Sequence, residues 1–406
     1  MKNTLLTIFD DALHSVIGKQ AVQNALSESN SKLLATGSIN IVAIGKAAES
    51  MLEGAFTAIP NANIGKALLI TKWGHADTCH WDEKKVTIIE ASHPIPDQSS
   101  LDAGKALIDF VAEGTTPLLF LISGGASSLV EQLQATWDFD TFQEMTRWML
   151  SNSYSIDEIN AVRQSASTIK AGGLWRYIKA TQVHCLLISD VPLDDVCIIG
   201  SGLLFPPASA LQIPESLPER WRSRLTGFNP ATPSPDFSYK VIASNLIARN
   251  TAGDSAKKAG FNVVIHNAIV ENDALETAEA CVKKIIDTPN TLFIWGAETT
   301  VNLPENPGRG GRNQHLALAA AKHMQNTSGC YLLAAGTDGT DGMTEDTGAL
   351  VDSETITRGE AENVDATTSL AKADAGTFLD ASGDLISTGV TGTNVMDLIF
   401  AIRIEN

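Results

Sequence analysis

The chain has 406 residues, 44% of them hydrophobic and 19% charged. That composition excludes a disordered polypeptide, and the length exceeds one compact core, so two domains or three are expected. A formal net charge of −18 speaks against nucleic acid as a partner, because phosphate backbones demand clustered Lys and Arg. The five scattered cysteines have no CxxC spacing, which speaks against a disulfide framework or a zinc site and fits a reducing compartment.

The opening MKNTLLTIFDDALHSVIG places Leu5, Leu6, Phe9, Leu13, Val16 and Ile17 at helical spacing. It predicts a helix that can pack on either domain. The stretch lacks the basic start, apolar core and cleavage site of a signal peptide, and no apolar run is long enough to span a bilayer. A soluble, cytoplasmic protein is expected. Short apolar runs then alternate with amphipathic stretches: 39–45, 66–72, 86–91, 117–125 and 183–190. Strands separated by helices imply crossover connections and a mostly parallel sheet covered on both faces. The Pro- and Ser-rich stretch 205–239 reads as a linker or boundary. Strand signals resume at 240–245, 261–266, 291–296 and 330–336. The expected domains are 1–230 and 236–406.

Strand ends carry small and polar residues: IGKAA, ISGGASS, ISDVPLDD, IASN, WGAETT and AAGTDGTDG. Ligands bind outside the carboxyl ends of strands in open α/β sheets, so six such loops in two domains point to a cleft between them. In LFLISGGASSL, Gly124 and Gly125 allow close backbone approach, and a helix from near Ala126 would aim N–H groups at an anion. The stretch is neither a Walker A loop nor a GxGxxG fingerprint nor a GxSxG elbow. An ordinary tight turn is the competing reading. Lys46 opens a helix, where a cation is locally unfavourable; the plain alternative is a lysine turned to solvent. Arg309 and Arg312, among the glycines of ENPGRGGRNQ, suit bidentate binding of phosphate or carboxylate, or form a solvated basic loop. Asp190, Asp194, Asp195, Glu298, Asp338 and Asp341 supply oxygen ligands suited to Mg²⁺ beside phosphates, although an aspartate in a Gly-rich turn is commonly an Asx-turn. His75, Cys79 and His80 lack the second ligand pair zinc needs. His93, in SHPIPD, lies near the same sheet edge and is held as a substrate contact.

Taken in order, GKAAESM, SHPIPD, SGGASSL, INAVRQSASTIKAGGL, ISDVPLDD, GAETTV, GRGGRNQ, GTDGTDG and TGVTGTNVMDL resemble the glycerate 2-kinases that carry a C-terminal MOFRL domain, over nearly the whole length. The resemblance implies an α/β protein with a Rossmann-like three-layer α/β/α N-terminal domain, a smaller α/β MOFRL-type domain and an active site between them. It implies transfer of phosphate from ATP to the 2-hydroxyl of D-glycerate. Lys46, Arg312 and Asp190 would be catalytic. Ser123, Gly124, Gly125, Glu298, Asp338 and Asn394 would contact the nucleotide, and Asp190 and Asp338 would hold Mg²⁺. The partners expected are a hydroxy acid and a nucleotide, with a homodimer admitted and no nucleic acid or membrane. Alternatives are a hydroxypyruvate reductase and a non-catalytic sugar-acid-binding protein. The chain departs from the family pattern at Ala126, in GMTEDTGAL, at Val390 and at Leu203-Leu204. These departures bear on substrate identity and loop geometry.

Overall fold

A computed structural model describes residues 1–28, 37–152, 154–225 and 231–405. The chain forms two compact units, one of residues 21–242 and one joining 1–20 to 243–406. This division departs from the expected 1–230 and 236–406 at both ends of the first segment.

The 21–242 unit is built on β1 (Ile39–Ile44), β2 (Ile64–Lys72), β3 (Val86–Ala91), β4 (Leu118–Ile122), β5 (Gln182–Ile188) and β6 (Asp236–Ala243). They lie in the order β3-β2-β1-β4-β5-β6, which is the Rossmann-like order. The pairs β1–β2, β2–β3, β1–β4 and β4–β5 are parallel. The all-apolar LLFLI of β4 is buried at every position, as a central strand covered on both faces requires. Asp97 starts the Gln98–Ala112 helix by accepting the Ser99 N–H at 2.8 Å, and Ala103, Leu107 and Val111 then recur every four residues on its buried face.

The stretch expected to be a linker is largely part of this unit. Leu217 and Trp221 pack with Trp137, Phe142, Met145, Met149, Ile159 and Val162 in a second core, and β6 belongs to the first sheet. Proline-rich composition marks irregular backbone, but the large apolar side chains it carries still seek burial.

In the other unit, β7 (Asn262–Val270), β8 (Thr291–Ala297), β9 (Cys330–Gly336), β10 (Gly348–Asp352), β11 (Leu385–Ile386) and β12 (Asp397–Arg403) form a sheet ordered β11-β10-β9-β12-β8-β7. Only β7–β8 is parallel; the other pairings are antiparallel. The expectation of a mostly parallel sheet therefore fails here. The last strand, β12, enters between β8 and β9 and runs against both, which no local pattern announces. The Lys2–His14 helix belongs to this unit: Phe9 meets Phe400 edge-on at 6.4 Å, and Lys2 pairs with Asp384 at 2.6 Å and Asp352 at 2.8 Å.

Candidate active site

In the 21–242 unit, β1 and β4 are adjacent and the strand order reverses between them, the switch point at which open α/β sheets hold ligands. The two loops are stitched together. Ser123 N–H donates to the Ile44 carbonyl at 3.0 Å, Lys46 N–H to the Gly124 carbonyl at 2.9 Å, and Ala47 N–H to Ser123 Oγ at 3.1 Å. The Asp190 carboxylate lies against Gly124, where any Cβ would fall on it, and Gly125 adopts φ +85°. Both glycines are therefore fixed by geometry. Lys46, Ser123, Gly124, Gly125 and Asp190 are gathered in one place, with His93 against Gly125.

Among the described residues, the N–H groups of Gly124, Gly125, Ala126 and Ser127 donate to no protein acceptor. Gly124 and Ala126 are buried, and buried donors without partners are unfavourable. A bound anion would satisfy them. The helix expected from Ala126 is a single turn, Ala126–Leu129, so its dipole adds less than a longer helix would. Lys46 has no ion-pair partner among the described residues, and its stem passes beside Gly125.

Burial, then the charge of Lys46, then Lys72 and His75, hold the His93 imidazole down to about 4 from its ordinary 6.5. The folded protein thus binds fewer protons at this position than the unfolded one. Its contribution to stability is full above about pH 6.5 and is lost as pH falls towards about 4. A His93→Gln variant is expected to show a flatter dependence of Tm on pH across that window. Equal slopes for variant and wild type would refute the assignment of a neutral, enclosed His93.

The other unit collects a different set. Arg312, the first residue of the Arg312–Met324 helix, donates from Nε and Nη2 to Asp397 at 2.6 and 3.1 Å, and from Nη1 to Glu298 at 3.0 Å. Burial works against its charge, but Asp397 and then Glu298 outweigh it and hold the guanidinium above its ordinary pKa. Arg312 is therefore not the freely exposed fork its glycines suggested, although one N–H on each Nη is left over. Asp397 is nearly fully buried at the start of β12. It is not among the site residues expected from the sequence, although it lies in the NVMDL of the last family motif, where an acid ending a polar loop and opening an apolar strand is the available signal.

Asp338 accepts the Thr340 N–H at 3.2 Å and the Thr340 hydroxyl at 3.3 Å, the plain Asx-type turn. A Cβ on Gly336 would stand 3.4 Å from the carboxylates of both Asp338 and Asp397, which flank this strand end together. Asn394 Oδ1 accepts the Met396 N–H at 3.3 Å in a loop tied to the GTDG turn through Thr337. Asp341 has a different task. It accepts the N–H groups of Asn313 at 3.1 Å and Gln314 at 2.8 Å, capping the Arg312–Met324 helix from a distance because Gly311 has no side chain to do so. A Cβ on Gly311 would strike that carboxylate. Burial pushes the Asp341 carboxyl up to about 7, against the pull of these N–H groups. Arg309 is held by Asp346 and Asp380, both at 2.8 Å.

Among the described residues, no three His, Cys, Asp or Glu side chains gather to hold a metal by themselves. Mg²⁺ beside phosphates needs only one or two carboxylates, a demand that Asp190 next to the Gly124 turn can meet.

An α/β protein with a backbone anion cradle at its sheet switch point belongs to the broad class that handles phosphate-bearing ligands. Comparison with known proteins narrows this. Residues 4–223 match the family described as a domain of unknown function (DUF4147), and residues 291–397 match the MOFRL family. The chain belongs to the glycerate kinase family composed of these two parts. It is 33% identical to a D-glycerate 2-kinase of Thermotoga maritima over 99% of this chain and 98% of that protein. A protein of Agrobacterium vitis provisionally named a hydroxypyruvate reductase is 31% identical, over 98% and 93%. A crystal structure of a glycerate kinase from Thermotoga maritima superposes with a TM-score of 0.86 at 31% identity, covering 99% of both chains.

Proposed function

We propose that this protein transfers the terminal phosphoryl group of ATP to the 2-hydroxyl of D-glycerate, giving 2-phosphoglycerate, in the cytoplasm. The observation that carries the reading is the Gly124–Ser127 turn, with its N–H groups free for an anion and the unpaired Lys46 beside it. Family membership and the named relatives support it. Phosphoryl transfer runs through a loose transition state, so a protein contributes mainly position and charge neutralisation. The turn holds the phosphate, and Lys46 meets the charge that spreads over the transferring oxygens. The phosphorus–oxygen bond to ADP breaks as a bond to the 2-oxygen of the acceptor forms. Asp190 is the carboxylate placed for the departing hydroxyl proton or for the cation. Mg²⁺, when bound, neutralises phosphate charge, with Asp190 and Asp338 as its candidate ligands. In this proposal Arg312 serves the phosphoryl group, and Glu298, Asp338 and Asn394 serve the nucleotide.

Phosphorus NMR of the product from ATP, Mg²⁺ and D-glycerate tests the reading. The resonance of 2-phosphoglycerate is expected. A 3-phosphoglycerate resonance would overturn the position of transfer, and ADP without either product would overturn the kinase assignment. The reductase alternative needs oxidation of NADH by hydroxypyruvate without ATP, and no GxGxxG occurs in the chain.

A further inference from the structure

The segment INAVRQSASTIKAGGL, residues 159–174, carries two cations that nothing above employs. Lys170 is fully buried and paired with the equally buried Glu131. The Glu131 carboxylate also accepts the Ser167 hydroxyl at 2.6 Å and the Gln132 N–H at 3.0 Å, so its acceptor sites are well occupied. Arg163, in the last turn of the Ile156–Ala166 helix, forms no ion pair among the described residues. Its Nη2 reaches the Ser127 carbonyl only at 3.5 Å, and its Nε is enclosed with no acceptor. The side chain nevertheless keeps some accessible surface. Two cations against one carboxylate leave a net positive charge behind the phosphate turn. A guanidinium cannot shed its proton to escape that situation, so an anion is wanted there.

Hydroxyl donors converge on the same place. Ser127 Oγ and Ser201 Oγ are 2.6 Å apart, and the Ser201 carbonyl accepts from Gln164, the neighbour of Arg163, at 3.3 Å. Ser201 is held at φ +57° between Gly200 and Gly202, which are also left-handed, an unusual backbone for a residue with a side chain.

We propose that Arg163, with the hydroxyls of Ser127 and Ser201, binds the carboxylate of the hydroxy-acid substrate; this rests on the kinase reading above. A planar fork with parallel N–H groups matches a carboxylate. In a 2-hydroxy acid the carboxylate is one carbon from the reacting hydroxyl, so its anchor must adjoin the phosphoryl cradle. Ser127 is the last residue of that cradle. The phosphate already has the turn and Lys46.

The test compares full-length wild type with Arg163→Met and Arg163→Lys, each checked for folding by circular dichroism. Kinetics with D-glycerate and with its uncharged amide are combined with calorimetric titration of D-glycerate. Arg163→Met is expected to raise KM for glycerate about 100-fold while KM for ATP moves less than about threefold, and Arg163→Lys to recover about tenfold. The wild-type preference for the acid over the amide is expected to collapse in Arg163→Met. Equal loss with acid and amide would show a merely structural role and overturn the proposal. A raised KM for ATP alone would also overturn it, assigning Arg163 to the phosphates. Wild type that binds D-glycerate without turnover, with binding lost in Arg163→Met, refutes the kinase reading and supports the carboxylate site. Wild type that neither binds nor turns over refutes both. If Arg163→Met does not fold, the Arg163→Lys comparison decides by the same ratios.

Discussion

Replacing Lys46 with methionine is expected to lower kcat by about two to three orders of magnitude, the usual loss when a donor to transition-state charge is removed. Stability is expected to hold or rise slightly. Lys46 has no ion-pair partner to abandon among the described residues, and methionine preserves most of the stem that runs beside Gly125. A cation at the start of the Ala48–Ala58 helix also opposes the helix dipole, by about 0.3–1 kcal/mol in exposed cases, so its removal is locally favourable. An independent readout exists in His93, whose imidazole is held down partly by Lys46. Its titration, followed by NMR, is expected to move up from about 4 in the variant. Near-normal turnover in a folded Lys46→Met protein would remove Lys46 from the chemistry.

Arg312→Ala carries the second large effect, and here two consequences must be separated. Asp397 is only 3% exposed and loses its bidentate partner. Removing one member of a buried pair costs about 3–5 kcal/mol, and the 34% exposure of the Arg312 side chain places this case near the lower end. Turnover is expected to fall by about two to three orders of magnitude as well. The double variant Arg312→Ala/Asp397→Asn resolves the two. Without the buried charge it is expected to regain most of the stability lost, as measured by urea denaturation, and none of the activity. Recovery of turnover in the double variant would mean that Arg312 serves only to neutralise Asp397.

Arg312 also shows where the sequence stops. Its glycine-rich surroundings suggest a flexible fork for bidentate binding, whereas in the fold Gly311 serves to leave room for Asp341. Nothing local says that the guanidinium is committed to Glu298 and to Asp397, 14 and 85 residues away. The two aspartates of GTDGTDG look interchangeable in one dimension. In the fold, Asp338 closes a turn at a strand end and Asp341 caps a helix 27 residues earlier in the chain. The signal for the buried partner Asp397 is weak, because an isolated acid at a strand start is common and its burial depends on β8 and β9 lying on both sides of β12.

The central strands β1, β4 and β5 of the 21–242 unit were legible because each is an apolar run buried over most of its length, and their ends gathered Lys46, Ser123, Gly124, Gly125 and Asp190 as the alternation of strand and helix implied. The antiparallel pairings of the second sheet were not, since strand direction depends on where a connection returns and not on the residues of the strand. Composition suggested a linker at 205–239, yet Trp221 and Leu217 found a core to enter. Local sequence thus determined the elements and the residue types at their ends, because periodicity and backbone freedom act over a few residues. The tertiary structure alone decided which charges are paired, because that depends on distances between segments the chain brings together only when folded.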